Sequence, residues 1–210
     1  LKINSDDITR SNEYLFTVKW QPWNRFNLSS ATAYNIETDN NQYVGNKLVN
    51  NKIEYTVGKV NRETISFTFR AELFVTPELS FQYYGNPYAS VGKFGDFRKV
   101  ADSVSKDYER RFSTLETVSI NGEEFLRDEN QNYLLNLTDN NPDFNFQEFR
   151  SNFVARWEYK TGSVIYFVWT NTRSHYENVY NPSVFNSFSG ISKVAANNAL
   201  MLKASYWFSL

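Results

Sequence analysis

The chain has 210 residues, 41% hydrophobic and 18% aromatic, with 22 basic and 23 acidic side chains and a formal charge of −1. That balance directs no broad field at nucleic acid, and the absence of cysteine removes disulfide frameworks, thiolate zinc sites and thiol nucleophiles together. A single histidine leaves little imidazole chemistry, and no run of about 18 apolar residues offers a membrane helix.

Almost everything alternates with period two. Tyr14, Phe16, Val18 and Trp20 alternate with Leu15, Thr17 and Lys19, residues 21–24 turn the chain, and Phe26, Leu28, Thr32, Tyr34 and Ile36 form the return strand. Residues 39–62 read as a first long polar connection. Over 64–75, Ile65, Phe67, Phe69, Ala71, Leu73 and Val75 take one side of a ribbon and Thr64, Ser66, Thr68, Arg70 and Glu72 the other. Thr76 and Pro77 break it, and Leu79, Phe81, Tyr83 and Gly85 then alternate with Ser80, Gln82, Tyr84 and Asn86.

Residues 91–148 form a second long connection. Within it Phe97, Val100, Val104, Tyr108 and Phe112 lie near one helical face, which predicts a short helix over 97–112. Phe149, Phe153, Ala155, Trp157 and Tyr159 alternate with Arg150, Asn152, Arg156, Glu158 and Lys160 before a tight turn at Thr161 and Gly162. The strand over 163–173 is apolar on both sides, Val164, Tyr166 and Val168 competing with Ile165, Phe167 and Trp169 for the inward face. After a third long connection, 174–198, the last strand alternates cleanly from Leu200 to Leu210.

Short turns at one end and long loops at the other are the pattern of an outer-membrane barrel. The expected fold is all-β: the C-terminal portion, 1–210, of one antiparallel up-and-down transmembrane β-barrel domain, with about seven strands, long extracellular loops and one short helix in a loop. Strands of about ten residues suit a bilayer crossing better than the usual 5 to 6 of globular proteins. Trp20, Trp23, Phe26, Trp157, Tyr159, Tyr206 and Phe208 cluster near strand ends as an aromatic girdle would. The charges Lys19, Glu37, Arg70, Glu72, Arg150, Arg156, Glu158 and Lys203 all fall opposite the apolar columns, so they are expected to face the lumen. The mean hydropathy of −0.56 fits, because only alternate strand residues need be apolar. Seven strands is an odd number, whereas closed bacterial barrels are even. Either 47–60 adds a strand or strands lie upstream of Leu1 on a longer polypeptide, and the alternation of turn lengths favours the second.

No catalytic constellation is visible, so no enzyme activity and no cofactor are expected. Asp139, Asn141 and Asp143 have the spacing of calcium-loop ligands but lack the glycine and distal glutamate, and read as an ordinary turn. The acidic run Glu123, Glu124, Asp128 and Glu129 reads as a solvated hairpin before it reads as a divalent-ion site, and His175 as a loop residue. Arg70 with Glu72 and Arg156 with Glu158 read as a lumen lattice, or else as a solute-selecting constriction. Tyr84, Asn86 and Tyr88 read as part of an interfacial girdle, or else as a sugar-stacking shelf.

Three blocks, RETISFTFRAELFVTPELSFQYYGNPYASVG (62–92), NFVARWEYKTGSVIYFVWT (152–170) and ALMLKASYWF (199–208), resemble the C-terminal part of a Bacteroidota-type membrane-associated β-barrel domain of unknown function, which commonly follows a family-9-type carbohydrate-binding module. The resemblance implies an outer-membrane location within a longer polypeptide. It brings no catalytic residues, and no sugar-binding module is visible in this chain. The expected role is that of a porin-like conduit or a scaffold subunit of a cell-envelope assembly. Its expected partners are outer-membrane lipid, lipopolysaccharide and other outer-membrane proteins, with no nucleic acid. The alternative is a soluble carbohydrate-binding β-sandwich using exposed aromatics.

Overall fold

The structure, a computed structural model, describes residues 2–5 and 8–208. It is an all-β chain whose antiparallel sheet curls into a half-barrel. The strands are β1 (Lys2–Ser5), β2 (Thr9–Trp23), β3 (Phe26–Val49), β4 (Lys52–Phe74), β5 (Leu79–Val100), β6 (Phe112–Thr114), β7 (Glu116–Ile120), β8 (Glu123–Arg127), β9 (Tyr133–Asn136), β10 (Phe144–Lys160), β11 (Ser163–Glu177) and β12 (Asn197–Ser205). The main sheet runs β1-β2-β3-β4-β5-β10-β11-β12, β6 adds to the top of β5, and β7-β8-β9 form a separate small sheet.

Seven long strands cross the sheet, and their three tight connections, at 24–25, 75–78 and 161–162, all lie at one end. Each turn has a local cause. At the last, Gly162 adopts φ +76°, and a Cβ added there would meet Trp207 Cβ at 3.0 Å. Gly162→Ala is therefore expected to cost about 1–2 kcal/mol, read as a lower urea midpoint with unchanged slope.

The opposite end departs from expectation in three places. Residues 39–62 are not a loop: β3 and β4 continue as a hairpin closed by Asn50 (φ 49°) and Asn51 (φ 61°). Two consecutive left-handed asparagines make the turn that matches strand twist. Residues 47–60 therefore lengthen two existing strands and add no crossing, while the eighth strand on the main path is β1, antiparallel to the top of β2 from Lys2 opposite Glu13 to Ser5 opposite Arg10.

The helix expected over 97–112 is absent. β5 runs on to Val100, where it gains hydrogen bonds from both β4 and β6, and only a 3-10 turn at Glu109–Arg111 remains. A sheet ladder on both edges outweighs a five-residue helical spacing. The loop helix lies instead at α1 (Val184–Gly190), capped by Ser183 Oγ, which accepts the Asn186 N–H. β11 extends to Glu177, so His175 is a strand residue, its Nε2 2.9 Å from Glu177 Oε1. β12 ends at Ser205 and 206–208 follow without ladder pairing, while the expected strand positions 209 and 210 lie outside the described residues.

Two small cores hold the top together. Leu115, Leu126 and Leu134 join the small sheet to Phe97 and Val49, and Val184 of α1 packs with Ile65, Ala89 and Val91 of β4 and β5.

Candidate functional site

Cross-strand register sorts every strand residue onto one of two faces. Trp20, Leu28, Ala71, Tyr83, Phe153, Trp169 and Leu200 stand in one row across seven strands, and Val18, Ser30, Phe69, Gly85, Ser151, Asn171 and Asn198 in the row above it. This settles β11: Ile165, Phe167 and Trp169 share the apolar face, and Val164, Tyr166 and Val168 the other. Lys19, Glu37, Arg70, Glu72, Arg150, Arg156, Glu158 and Lys203 all fall on that second, polar face.

The polar face is the concave one. A hollow of about 510 Å³ is bounded by Asn35 of β3 at one side and Tyr176 of β11 at the other, with β4, β5 and β10 between them. One hollow touching five adjacent strands requires the sheet to bend toward it. Lower on the same face a smaller hollow is lined by Lys19, Ser29, Arg70 and Glu72.

The concave charges are held in short-range pairs. Arg156 Nη2 donates to Glu158 Oε2 at 2.8 Å, Arg150 Nη2 to Glu148 Oε1 at 2.7 Å, and Arg62 lies 3.4 Å from Glu37. Arg70 sits over the Tyr84 ring, 5.4 Å from its centre, and no Arg70–Glu72 bridge occurs among the described contacts. Asn86 Nδ2 donates to Thr68 Oγ1 at 3.0 Å. Tyr84, Asn86 and Tyr88 thus stand on the concave face, beside the expected lumen-side charges and on the face opposite Trp20, Trp157 and Phe26.

The convex face is different in kind. Between the short-turn end and Arg10, Glu63, Lys93 and Arg173 it carries no Asp, Glu, Lys or Arg among the described residues. Phe16 is 67% exposed and Leu202 72%. The expected girdle residues gather at the short-turn end: Trp23 stacks on Phe26 at 5.3 Å, Trp20 meets Phe26 edge-on at 6.2 Å, Trp157 meets Tyr159 at 6.0 Å and Tyr206 stacks on Phe208 at 6.4 Å. At the far margin the segment carrying α1 folds down over the convex face, Val184 and Phe188 against Ile65, Ala89 and Val91, and Phe185 stacked on Tyr34 at 5.8 Å. Arg173 Nη1 donates to Ser192 O at 2.6 Å and pins that segment. α1 went unread in the sequence, although Val184, Phe188 and Ile191 follow helical spacing behind a serine cap.

The calcium-like triplet is engaged in hydrogen bonds with its surroundings. Asp143 Oδ1 accepts Phe94 N–H at 2.7 Å, Asn141 Oδ1 accepts Asp143 N–H at 3.0 Å, and Asp139 Oδ2 accepts Asn136 Nδ2 at 2.8 Å. No group of three His, Cys, Asp or Glu residues is placed to hold a metal among the described residues. In the acidic run, Asp128 and Glu129 both pair with Lys99, at 3.0 and 2.9 Å, and Glu123 accepts Asn136 Nδ2 at 3.3 Å. Asp128 and Glu129 lock the small sheet to β5.

Comparison with known proteins adds no family: neither a family model, nor a curated protein, nor a solved structure matches this chain.

Proposed function

We propose that the chain forms part of an integral outer-membrane β-barrel, its convex face against lipid and its concave face toward an enclosed watery interior, serving as a conduit or as a scaffold subunit of an envelope assembly. The observation that carries this reading is the charge-free convex band, bounded below by exposed aromatics and above by α1. Its height fits. From Ile65 to Phe74 of β4 is roughly 30 Å of strand, which at the usual tilt spans roughly 25 Å, the apolar height of such barrels. Trp and Tyr at that margin match the headgroup level, where an apolar ring with one polar atom is most stable.

Closure follows from strand direction. β2 and β12 both run toward the short-turn end, so joining them directly would make a parallel seam. β1 runs the opposite way and extends the sheet beside β2. In this reading an odd number of strands, β1 among them, lies between β12 and β2, because an unpaired edge in lipid leaves every other backbone group unsatisfied. The three sequence blocks resembling a Bacteroidota-type membrane barrel support the same reading.

A soluble sandwich would cover the apolar columns with a second sheet. Among the described residues the small sheet packs instead on Phe97 and Val49, above them. Extraction tests the reading: the protein is expected to partition with outer membranes and to need detergent for release, and release by carbonate or salt alone would refute it. Planar-bilayer recording then separates conduit from scaffold, since a scaffold passes no current.

A further inference from the structure

The larger concave hollow combines two chemistries that a merely structural interior leaves unused. Its wall carries the rings of Tyr88, Phe144, Phe146 and Tyr176, and the Arg62–Glu37 pair stands beside them. The wall is built with care for shape. Phe144 lies directly opposite Gly92, its ring occupying the space where a Cβ on Gly92 would stand, and Tyr88 and Phe146 meet edge-on at 5.9 Å. Tyr176 is 58% exposed, which leaves its ring open to a partner.

The polar side is neutral in sum but rich in directed groups. Glu37 matches the charge of Arg62, and both side chains are partly open to the hollow, Arg62 32% and Glu37 21% accessible. An anion would be repelled by Glu37, and an acyl chain would strip water from the partly exposed Arg62–Glu37 pair without replacing its hydrogen bonds. A pyranose ring satisfies both sides, since its C–H face stacks on an aromatic ring while its hydroxyls bridge a guanidinium and a carboxylate. The hollow's volume of about 510 Å³ lies within the usual range for small-ligand sites.

We propose that this hollow is a binding subsite for a neutral oligosaccharide, one sugar ring stacked on Tyr176 and Tyr88 and its hydroxyls held by Arg62 and Glu37. The inference rests on the concave face being watery, as in the reading above, but not on lipid covering the convex face.

The test is calorimetric titration of the purified full chain with maltohexaose, cellohexaose, xylohexaose and mannohexaose, with a galacturonate hexamer as the charged comparison. At least one neutral sugar is expected to bind saturably, and Tyr176→Ala and Arg62→Gln are each expected to weaken it tenfold or more. Arg62→Lys, which keeps the charge and loses the planar fork, is expected to weaken binding as well. Phe16→Ala on the convex face should leave it unchanged. Each variant is first shown by circular dichroism to keep the parent's strand signal. Binding of none of the neutral sugars, preference for the galacturonate, or indifference to Tyr176→Ala and Arg62→Gln would each overturn the proposal. Because the titration is read on purified protein, its failure is distinct from failure of the membrane reading, which extraction decides.

Discussion

Phe69→Arg is expected to abolish stable insertion of this chain into bilayers, while Thr68→Arg, one residue away, leaves insertion intact. Both sit midway along β4. Phe69 lies on the convex face, its ring 6.1 Å from that of Tyr83, and Thr68 on the concave face, bound to Asn86. An arginine in contact with lipid at mid-depth costs about 2–4 kcal/mol, and one facing water costs little. The outcome is read as the heat-modifiable fraction in isolated outer membranes. Equal tolerance of both changes would remove lipid from the convex face. Equal damage would mean that both faces are packed against protein.

How far the sequence anticipates this fold depends on what each strand face meets. Where one face is apolar and the other polar, as in the lower halves of β2 to β5, β10 and β12, alternation marks the strand and which residues share a face, and the eight charges expected to face the lumen stand on one side by register. Where both faces are wet the signal disappears. Thr38, Asp39, Asn40, Asn41 and Gln42 of β3 carry no apolar column, so the upper hairpin reads as loop although its backbone pairs with β4 up to the Asn50–Asn51 turn, with irregularities between Asp39 and Gln42 and between Tyr43 and Gly45. Its legible trace is Asn50–Asn51, and that of the small sheet is Asn121–Gly122 (φ 54° and 87°), pairs that tolerate the left-handed region. The false helix over 97–112 has the converse origin. Phe97 packs against the small-sheet leucines, and Val100 of β5 stands opposite Phe112 of β6, and such sheet pairings leave no local period. Of the hollow's residues the sequence marks Glu37, as a lumen charge, and Tyr88, as a girdle or sugar-shelf residue, but they meet Arg62, Phe146 and Tyr176 only through strand order.

Lys99→Met is expected to release the small sheet from β5, at a cost of about 3 kcal/mol, while leaving the main sheet in place. Lys99 Nζ lies 3.0 Å from Asp128 Oδ2 and 2.9 Å from Glu129 Oε1, with the Lys99 and Asp128 side chains 10% and 2% exposed. Asp128 also accepts the N–H groups of Asn130 and Asn132 at 2.9 and 2.8 Å, so it organises the β8–β9 turn as well as the docking. Removing the cation leaves a buried carboxylate uncompensated, which outweighs the gain from an added apolar side chain. Burial opposes ionisation of Asp128, but the hydrogen bonds from Asn132 and Lys99 prevail and hold its carboxyl below its usual range. The Lys99 hydrogen bond lowers Glu129 too. For Lys99 burial again opposes the charge, and the bonds to Glu129 and Asp128 prevail and raise it. The signs fix the window. The carboxylates contribute fully above the unfolded carboxylate range, about pH 4, and their contribution fades as pH falls through the lowered folded values. The Lys99 contribution is full below the ordinary lysine value, about pH 10.4, and fades as pH rises through the raised one. Hydrogen exchange in 116–136 is therefore expected to be slow and level between roughly pH 5 and 9, after correction for intrinsic rates, and to quicken toward acid. In Lys99→Met it should be fast across that window, with exchange in β4 unchanged. Protection of 116–136 that survives the substitution would assign the docking to the leucine core alone.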